Sequence, residues 1–180
     1  MFDLDLCNAV ILITGGASGI GAACARAFVA EGAAVVLLDR DTDAGNALAA
    51  TFGEAALFVA ADVSNEAAIA DAVAQAATWR GHLDALICCA GVSGPVGAPI
   101  TTIAAADWTH VMNINLGGVF NTAKHSIPWL EVGCLRSIVI LASDSSFLAY
   151  PGMAAYSASK GGALMLTRAL AVDHPALRVN

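Results

Sequence analysis

The chain has 180 residues, 58% hydrophobic and only 13% charged, with a formal net charge of −7. That length suits one domain with a sizeable core, and the acidic balance argues against a general nucleic-acid or anionic-membrane surface. No run of about 20 residues is free of polar breaks, so no membrane span is expected, and Met1-Phe2-Asp3-Leu4-Asp5 lacks the basic start of a signal peptide.

Along the chain, short apolar runs alternate with longer helical patterns. The runs are Ala9–Thr14, Ala33–Asp39, Ala55–Asp62, Asp84–Ala90 and Ser137–Ser143, and Leu177–Asn180 reads as the start of a sixth. They are apolar throughout and do not alternate, as expected of strands buried on both faces. Between them lie helical segments at about 19–31, 41–52, 65–80, 104–131 and 154–173. Asp41 and either Ser64 or Asn65 suit the N-caps of the second and third. A β-α-β-α order predicts a doubly wound α/β domain spanning 1–180, with a parallel sheet and helices on both faces. The Gly/Pro-rich stretch Gly91–Pro99 reads as a loop after the fourth strand, with no domain boundary there.

The five cysteines, Cys7, Cys24, Cys88, Cys89 and Cys134, show no metal-ligand spacing. They read as buried, reduced thiols of a cytoplasmic protein. His82, His110, His125 and His174 are scattered and read as surface or helix-end residues, so no metal site is expected.

Thr14-Gly15-Gly16-Ala17-Ser18-Gly19-Ile20-Gly21 follows the first strand and opens the first helix. Glycines there allow a tight turn and let backbone N–H groups approach a pyrophosphate at the helix N-terminus. The spacing G-x-x-x-G-x-G differs from G-x-G-x-x-G, and no Gly-Lys-Ser/Thr follows to make a P-loop. Asp39 ends the second strand, eighteen residues after Gly21. An acidic group at that place accepts from ribose hydroxyls and repels a 2′-phosphate, which favours NAD over NADP; the adjacent Arg40 works against that preference. Asp62-Val63 ends the third strand on the same carboxyl edge of the sheet, where ligands of such sheets bind.

Tyr156-Ser157-Ala158-Ser159-Lys160 places a phenol and an ammonium four residues apart, on one face of a helix. An ammonium beside a phenol favours the phenolate. The bare pattern is weak, since any helix can carry it by chance.

Together these motifs resemble those of the short-chain dehydrogenase/reductase family, in its common single-domain branch, over essentially the whole chain. Thr14–Gly21 is similar to the family's T-G-x-x-x-G-x-G, and Asp62-Val63 to its adenine-contacting aspartate and the residue after it. Asn115-Leu116-Gly117-Gly118 resembles N-L-x-G, which supplies a catalytic asparagine; Ser143, thirteen residues before Tyr156, stands in the place of the catalytic serine. The resemblance implies a Rossmann-type fold and an NAD-dependent oxidoreductase that interconverts a secondary alcohol and a ketone. It assigns Asn115, Ser143, Tyr156 and Lys160 to catalysis. Gly15, Ser18, Gly19, Ile20, Gly21, Asp39, Asp62, Val63, Cys89, Ala90 and Gly91, with Tyr156 and Lys160, are expected to hold the cofactor. In the implied mechanism Tyr156 takes the substrate proton, Ser143 donates to its oxygen, and Lys160 activates Tyr156 and binds the nicotinamide ribose. Asn115 holds a water in a proton relay. The implied assembly is a homodimer or homotetramer formed through 104–131 and 154–173.

Two departures stand out. Cys88-Cys89-Ala90-Gly91 replaces the family's N-N-A-G, and thiols are weak hydrogen-bond partners where amides would brace the sheet. Family members also continue well beyond this length, so the expectation is a fragment without the substrate-covering segment. Trp108, Trp129 and Phe147 read as core or subunit contacts, and Tyr150 as pocket lining or loop packing. The rival readings are a non-catalytic nucleotide-binding or scaffolding relative, and an epimerase or dehydratase on the same fold.

Overall fold

The computed structural model describes residues 6–180; the acidic Met1–Asp5 lies outside them. Six strands form one parallel sheet: β1 (Val10–Thr14), β2 (Ala34–Asp39), β3 (Ala56–Ala60), β4 (Ala85–Cys88), β5 (Ser137–Ile140) and β6 (Arg178–Val179). Their order is β3-β2-β1-β4-β5-β6, and every pairing is parallel. The helices are α1 (Gly19–Ala30), α2 (Thr42–Phe52), α3 (Glu66–Arg80), α4 (Ala105–Met112), α5 (Gly118–Leu130) and α6 (Ala154–Asp173).

The apolar runs form strands because each can bury both faces. β1 is buried at every position, and two clusters flank the sheet. One, around Leu12, Leu38, Ile69, Leu86 and Ile138, lies under α3, α5 and α6. The other, around Ile11, Ile13, Val35, Leu37 and Ile87, lies under α1 and α2. β3 departs from the expectation of two buried faces. It is an edge strand, and only Val59 of its five residues is buried. Asp41 caps α2 by accepting from Ala44 N at 3.0 Å, and Asn65, not Ser64, caps α3 by accepting from Ala68 N at 3.2 Å.

The long pattern at 104–131 is not one regular helix. Asn113–Gly117 forms a π-helical turn between α4 and α5, a feature that concentrates at functional sites. Among the described residues no helix is long and apolar enough to cross a membrane. The strand order reverses between β1 and β4, and in such sheets a crevice opens at the carboxyl edge of that switch point.

Candidate active site

That crevice is a cleft of about 340 Å³. Gly15, Ser18, Gly19, Ile20 and Gly21 line it from the β1–α1 turn, Asp39 from β2, Asp62 and Val63 from the exit of β3, and Cys89, Ala90 and Gly91 from the exit of β4. Arg40 lines it too, as do Leu38, Ala61, Val92 and Ile114, four residues that sequence reasoning missed. Each of the four adjoins a residue singled out in the sequence: Leu38 and Ala61 stand beside the strand-end aspartates, Val92 beside Gly91 and Ile114 beside Asn115.

The turn packs by glycine. A Cβ on Gly15 (φ +64°) would meet Ala90 N at 2.8 Å, and one on Gly21 would lie 2.1 Å from the Gly15 carbonyl oxygen. Gly19 differs: its φ is +51°, and a Cβ there would meet nothing within 4 Å. The turn is therefore closed below and open above, over the first turn of α1. Ser18 caps that helix without spending its side chain on it, which leaves a hydroxyl and helix N–H groups for an anion.

Two carboxylates stand on the β2–β3 side. Asp39 Oδ2 accepts from Ala17 N at 3.1 Å, and Oδ1 accepts from Asp41 N at 3.1 Å, so this side chain also braces the glycine turn. Asp62 Oδ1 accepts from Ser64 N at 2.9 Å and from Ser64 Oγ at 2.7 Å. Those two bonds hold its carboxyl below the usual range, so it is an anion at neutral pH. A phosphate-accepting helix end with carboxylates beyond it at the strand tips fits a dinucleotide.

Across the switch point, backbone groups tie the exit of β4 to the end of β1. Cys89 N donates to Thr14 O at 3.1 Å and Ala90 N to Thr14 Oγ1 at 3.3 Å. Burial pushes both the Cys88 and the Cys89 thiol up to about 12. All five cysteines are free, but only Cys88 is buried; Cys7 and Cys134 are exposed, and Cys24 and Cys89 are half-buried. The expectation of five buried thiols is thus corrected: Cys7 precedes β1 and Cys134 precedes β5, both on surface loops.

The candidate catalytic residues gather beside this crevice. Tyr156 and Lys160 stand on the first turns of α6, with Lys160 Nζ 5.9 Å from the Tyr156 ring centroid. Lys160 is buried, Nζ donates to Leu141 O at the end of β5, and desolvation lowers its pKa. Gly91 lies beside it: a Cβ there would be 3.8 Å from Nζ, an ordinary contact, and a tighter 3.3 Å from Asn115 Oδ1. Ser143 opens a short 3-10 turn, Asp144–Ser146, whose Ser146 Oγ donates to the Lys160 carbonyl at 2.9 Å. The serine turn and α6 are thereby tied together. Asn115 is fully buried in the π-helical turn. Its Oδ1 accepts from Val92 N at 2.8 Å, while Nδ2 donates to Val92 O at 2.9 Å and to Ser159 Oγ at 3.0 Å.

Beyond Ser143, Tyr150 donates to Asp144 Oδ2 at 2.8 Å, a contact within the loop that follows β5. The loops after β4 and β5 meet where Gly97 N donates to Gly152 O at 3.1 Å. Trp108, Trp129 and Phe147 are 37%, 36% and 71% exposed, so none is core within this chain. They sit on outward faces that sequence periodicity cannot tell from inward ones. No histidine lines the crevice, although His110 lies near Asp62; His125, inside α5, is half-buried 3.5 Å from Glu66.

Comparison with known proteins agrees with this geometry. Residues 9–180 match the family model described as short chain dehydrogenase. A 2-dehydro-3-deoxy-L-rhamnonate dehydrogenase (NAD(+)) of Sphingomonas sp. (strain SKA58) is 40% identical over 161 residues. The match covers 88% of this chain and 63% of that protein, so the chain spans less than two thirds of the length of that relative. Among solved structures, a 3-ketoacyl-(acyl-carrier-protein) reductase from Brucella melitensis complexed with NADH superposes with a TM-score of 0.90 at 33% identity, covering 97% of this chain and 73% of that one. NAD+-bound xylitol dehydrogenase does so with a TM-score of 0.90 at 32% identity, covering 97% and 69%.

Proposed function

The chain belongs to the short-chain dehydrogenase family, and from that premise we propose that it is an NAD-dependent oxidoreductase interconverting a secondary alcohol and a ketone. The observation that carries this reading is the stacking of Tyr156 and Lys160 on α6, tied through Ser146 to the turn that Ser143 opens. A protein that only binds nucleotide needs no such pair.

The residues divide the work as follows. The N-terminus of α1, with the free Ser18 hydroxyl and Gly19, takes the pyrophosphate, Asp39 the adenosine ribose and Asp62 the adenine amine. Asp39 disfavours a 2′-phosphate, so NAD is preferred to NADP. The chemistry that NAD supplies when bound is hydride acceptance. Tyr156 takes the proton from the substrate hydroxyl, acting as general base. Lys160, held against Leu141 and close to the phenol ring, orients Tyr156 and takes the nicotinamide ribose. Ser143 donates a hydrogen bond to the substrate oxygen as its bond order changes. Both N–H groups of the Asn115 side chain are spent on Val92 and Ser159. Asn115 therefore holds the loop after β4 in place, and any relay water is left to its backbone carbonyl, in the π-helical turn.

The family assembly is proposed as well. Phe120, Trp129 and Met165 are exposed on α5 and α6, and Phe120, Ala123, Ile127, Leu166 and Leu170 line an apolar groove between those helices. We place a two-fold contact there, giving a homodimer or homotetramer. The unpaired thiols suit the cytoplasm.

The test is direct. NAD binding is measured by calorimetry, and a panel of secondary alcohols is followed at the NADH absorbance band. Turnover of any alcohol supports the reading. Tight NAD binding with no turnover across the panel would instead assign the chain to the non-catalytic relatives.

A further inference from the structure

Ser143 has one hydroxyl proton, and in this structure it is already given away. Its Oγ lies 2.9 Å from Asp144 Oδ1, and a carboxylate only accepts, so Ser143 is the donor. The same oxygen accepts from Ser145 N at 3.1 Å. The other oxygen of Asp144 accepts from Tyr150 at 2.8 Å. Asp144 is exposed and directly follows Ser143, and the hydroxyls of Tyr150 and Ser143 hold its carboxyl below the usual range. An anion therefore sits one residue from the group that must grip the substrate oxygen.

The consequence is one of exchange. For Ser143 to donate to a substrate oxygen, its bond to Asp144 must break, and bonds to charged acceptors are the stronger kind. A ketone or alcohol with no other polar group gives nothing back, and leaves that oxygen of the exposed carboxylate to water. A substrate with a second hydroxyl on the neighbouring carbon returns that donor, accepting from Ser143 with one oxygen and donating to Asp144 with the other. A carboxylate on that neighbouring carbon would set two anions side by side.

Resting on the reading given under Proposed function, we propose that Asp144, pinned by Tyr150, is a specificity-determining residue. It selects neutral substrates with a hydroxyl adjacent to the reacting carbon: vicinal diols in the oxidising direction and α-hydroxyketones in the reducing one. This goes beyond the family reaction, since neither Tyr156 nor Lys160 distinguishes a diol from a simple alcohol.

The experiment compares 2,3-butanediol with butan-2-ol, which share a carbon skeleton and differ by one hydroxyl, in the wild type, Asp144→Ala and Tyr150→Phe. The wild type is expected to favour the diol in kcat/KM by about ten-fold or more, the scale of one hydrogen bond to a charged group. Asp144→Ala is expected to bring that ratio close to unity, with the diol KM rising and butan-2-ol oxidation improving as Ser143 is released. Tyr150→Phe, which keeps the charge, is expected to retain most of the preference. A merely structural role would lower both alcohols together, and that outcome, or a ratio unchanged in Asp144→Ala, overturns the proposal. The preference is also read without turnover, as the melting-temperature shift each alcohol gives to NAD-loaded protein. If no alcohol is oxidised, the assigned reaction fails, while equal shifts from the two alcohols in the wild type overturn the role of Asp144.

Discussion

Asn115 holds Val92 by both backbone groups at once, accepting from its N–H at 2.8 Å and donating to its carbonyl at 2.9 Å. The side chain thereby mimics a strand partner for a loop that has none, and fixes the chain just after Gly91, where the crevice meets Lys160. Because Asn115 is fully buried, Asn115→Ala leaves Val92 N–H and C=O without these partners. The expected cost is about 2–4 kcal/mol of unfolding free energy, from buried groups left unpaired. Urea denaturation measures it; a loss below about 0.5 kcal/mol, the usual range of a surface change, would contradict the role assigned.

Lys160 makes stability depend on pH in a defined direction. Burial lowers its pKa below the ordinary lysine value of 10.5, so the folded state disfavours the charged form. The penalty is fully present below the folded pKa, and lifts as pH rises through that value toward 10.5. The stability of the wild type relative to Lys160→Met is therefore expected to improve between neutral pH and about pH 10, within the titration range of lysine. Paired denaturation curves at the two pH values check it; a difference that stays constant or moves the other way contradicts it.

Asp39 carries two duties that one substitution separates. Removing its carboxylate frees Ala17 N and Asp41 N, which weakens binding of either dinucleotide alike. Removing its charge helps only the one with a 2′-phosphate. Asp39→Ala is thus expected to shift the ratio of kcat/KM for NADP over NAD upward by about ten-fold, since close like charges cost about 1–4 kcal/mol. An unchanged ratio would move the selectivity to another residue, with Arg40, which also lines the cleft, the first to examine.

The cysteines are expected to react unequally. Thiols raised to about 12 carry almost no thiolate at neutral pH, so iodoacetamide should label the exposed Cys7 and Cys134 and spare Cys88 and Cys89. Peptide mass spectrometry reads the pattern, and rapid labelling of Cys89 would contradict it.

Much of the architecture was legible because it rests on local rules. Continuous apolar runs such as Val10–Thr14 have no stable place except a strand covered on both faces, and Asp41 and Asn65 marked helix starts through the bonds their side chains make. The same rules placed the residues lining the crevice, since strand ends and the glycine turn converge at the switch point. What stayed hidden depends on partners distant in sequence. Nothing in Asn113–Gly117 announces a π-helical turn, because the bonds that hold Asn115 come from Val92 and Ser159. β3 reads like any other buried strand, and only the sheet order puts it at an edge. Trp129 and Phe147 look like core residues until the faces they occupy are known. The link between Asp144 and Tyr150 has no sequence signal, because neither belongs to a recognised motif and the loop between them sets their contact.

The central claim is that Tyr156 is the proton acceptor of a dehydrogenase site. Turnover and NAD affinity of Tyr156→Phe, measured side by side with an alcohol that the wild type oxidises, test it most directly. Loss of the hydroxyl is expected to cut kcat by about 10²–10⁴-fold, with the NAD dissociation constant little changed. A variant that keeps more than a tenth of wild-type kcat, within the range of ordinary repacking, would contradict the account.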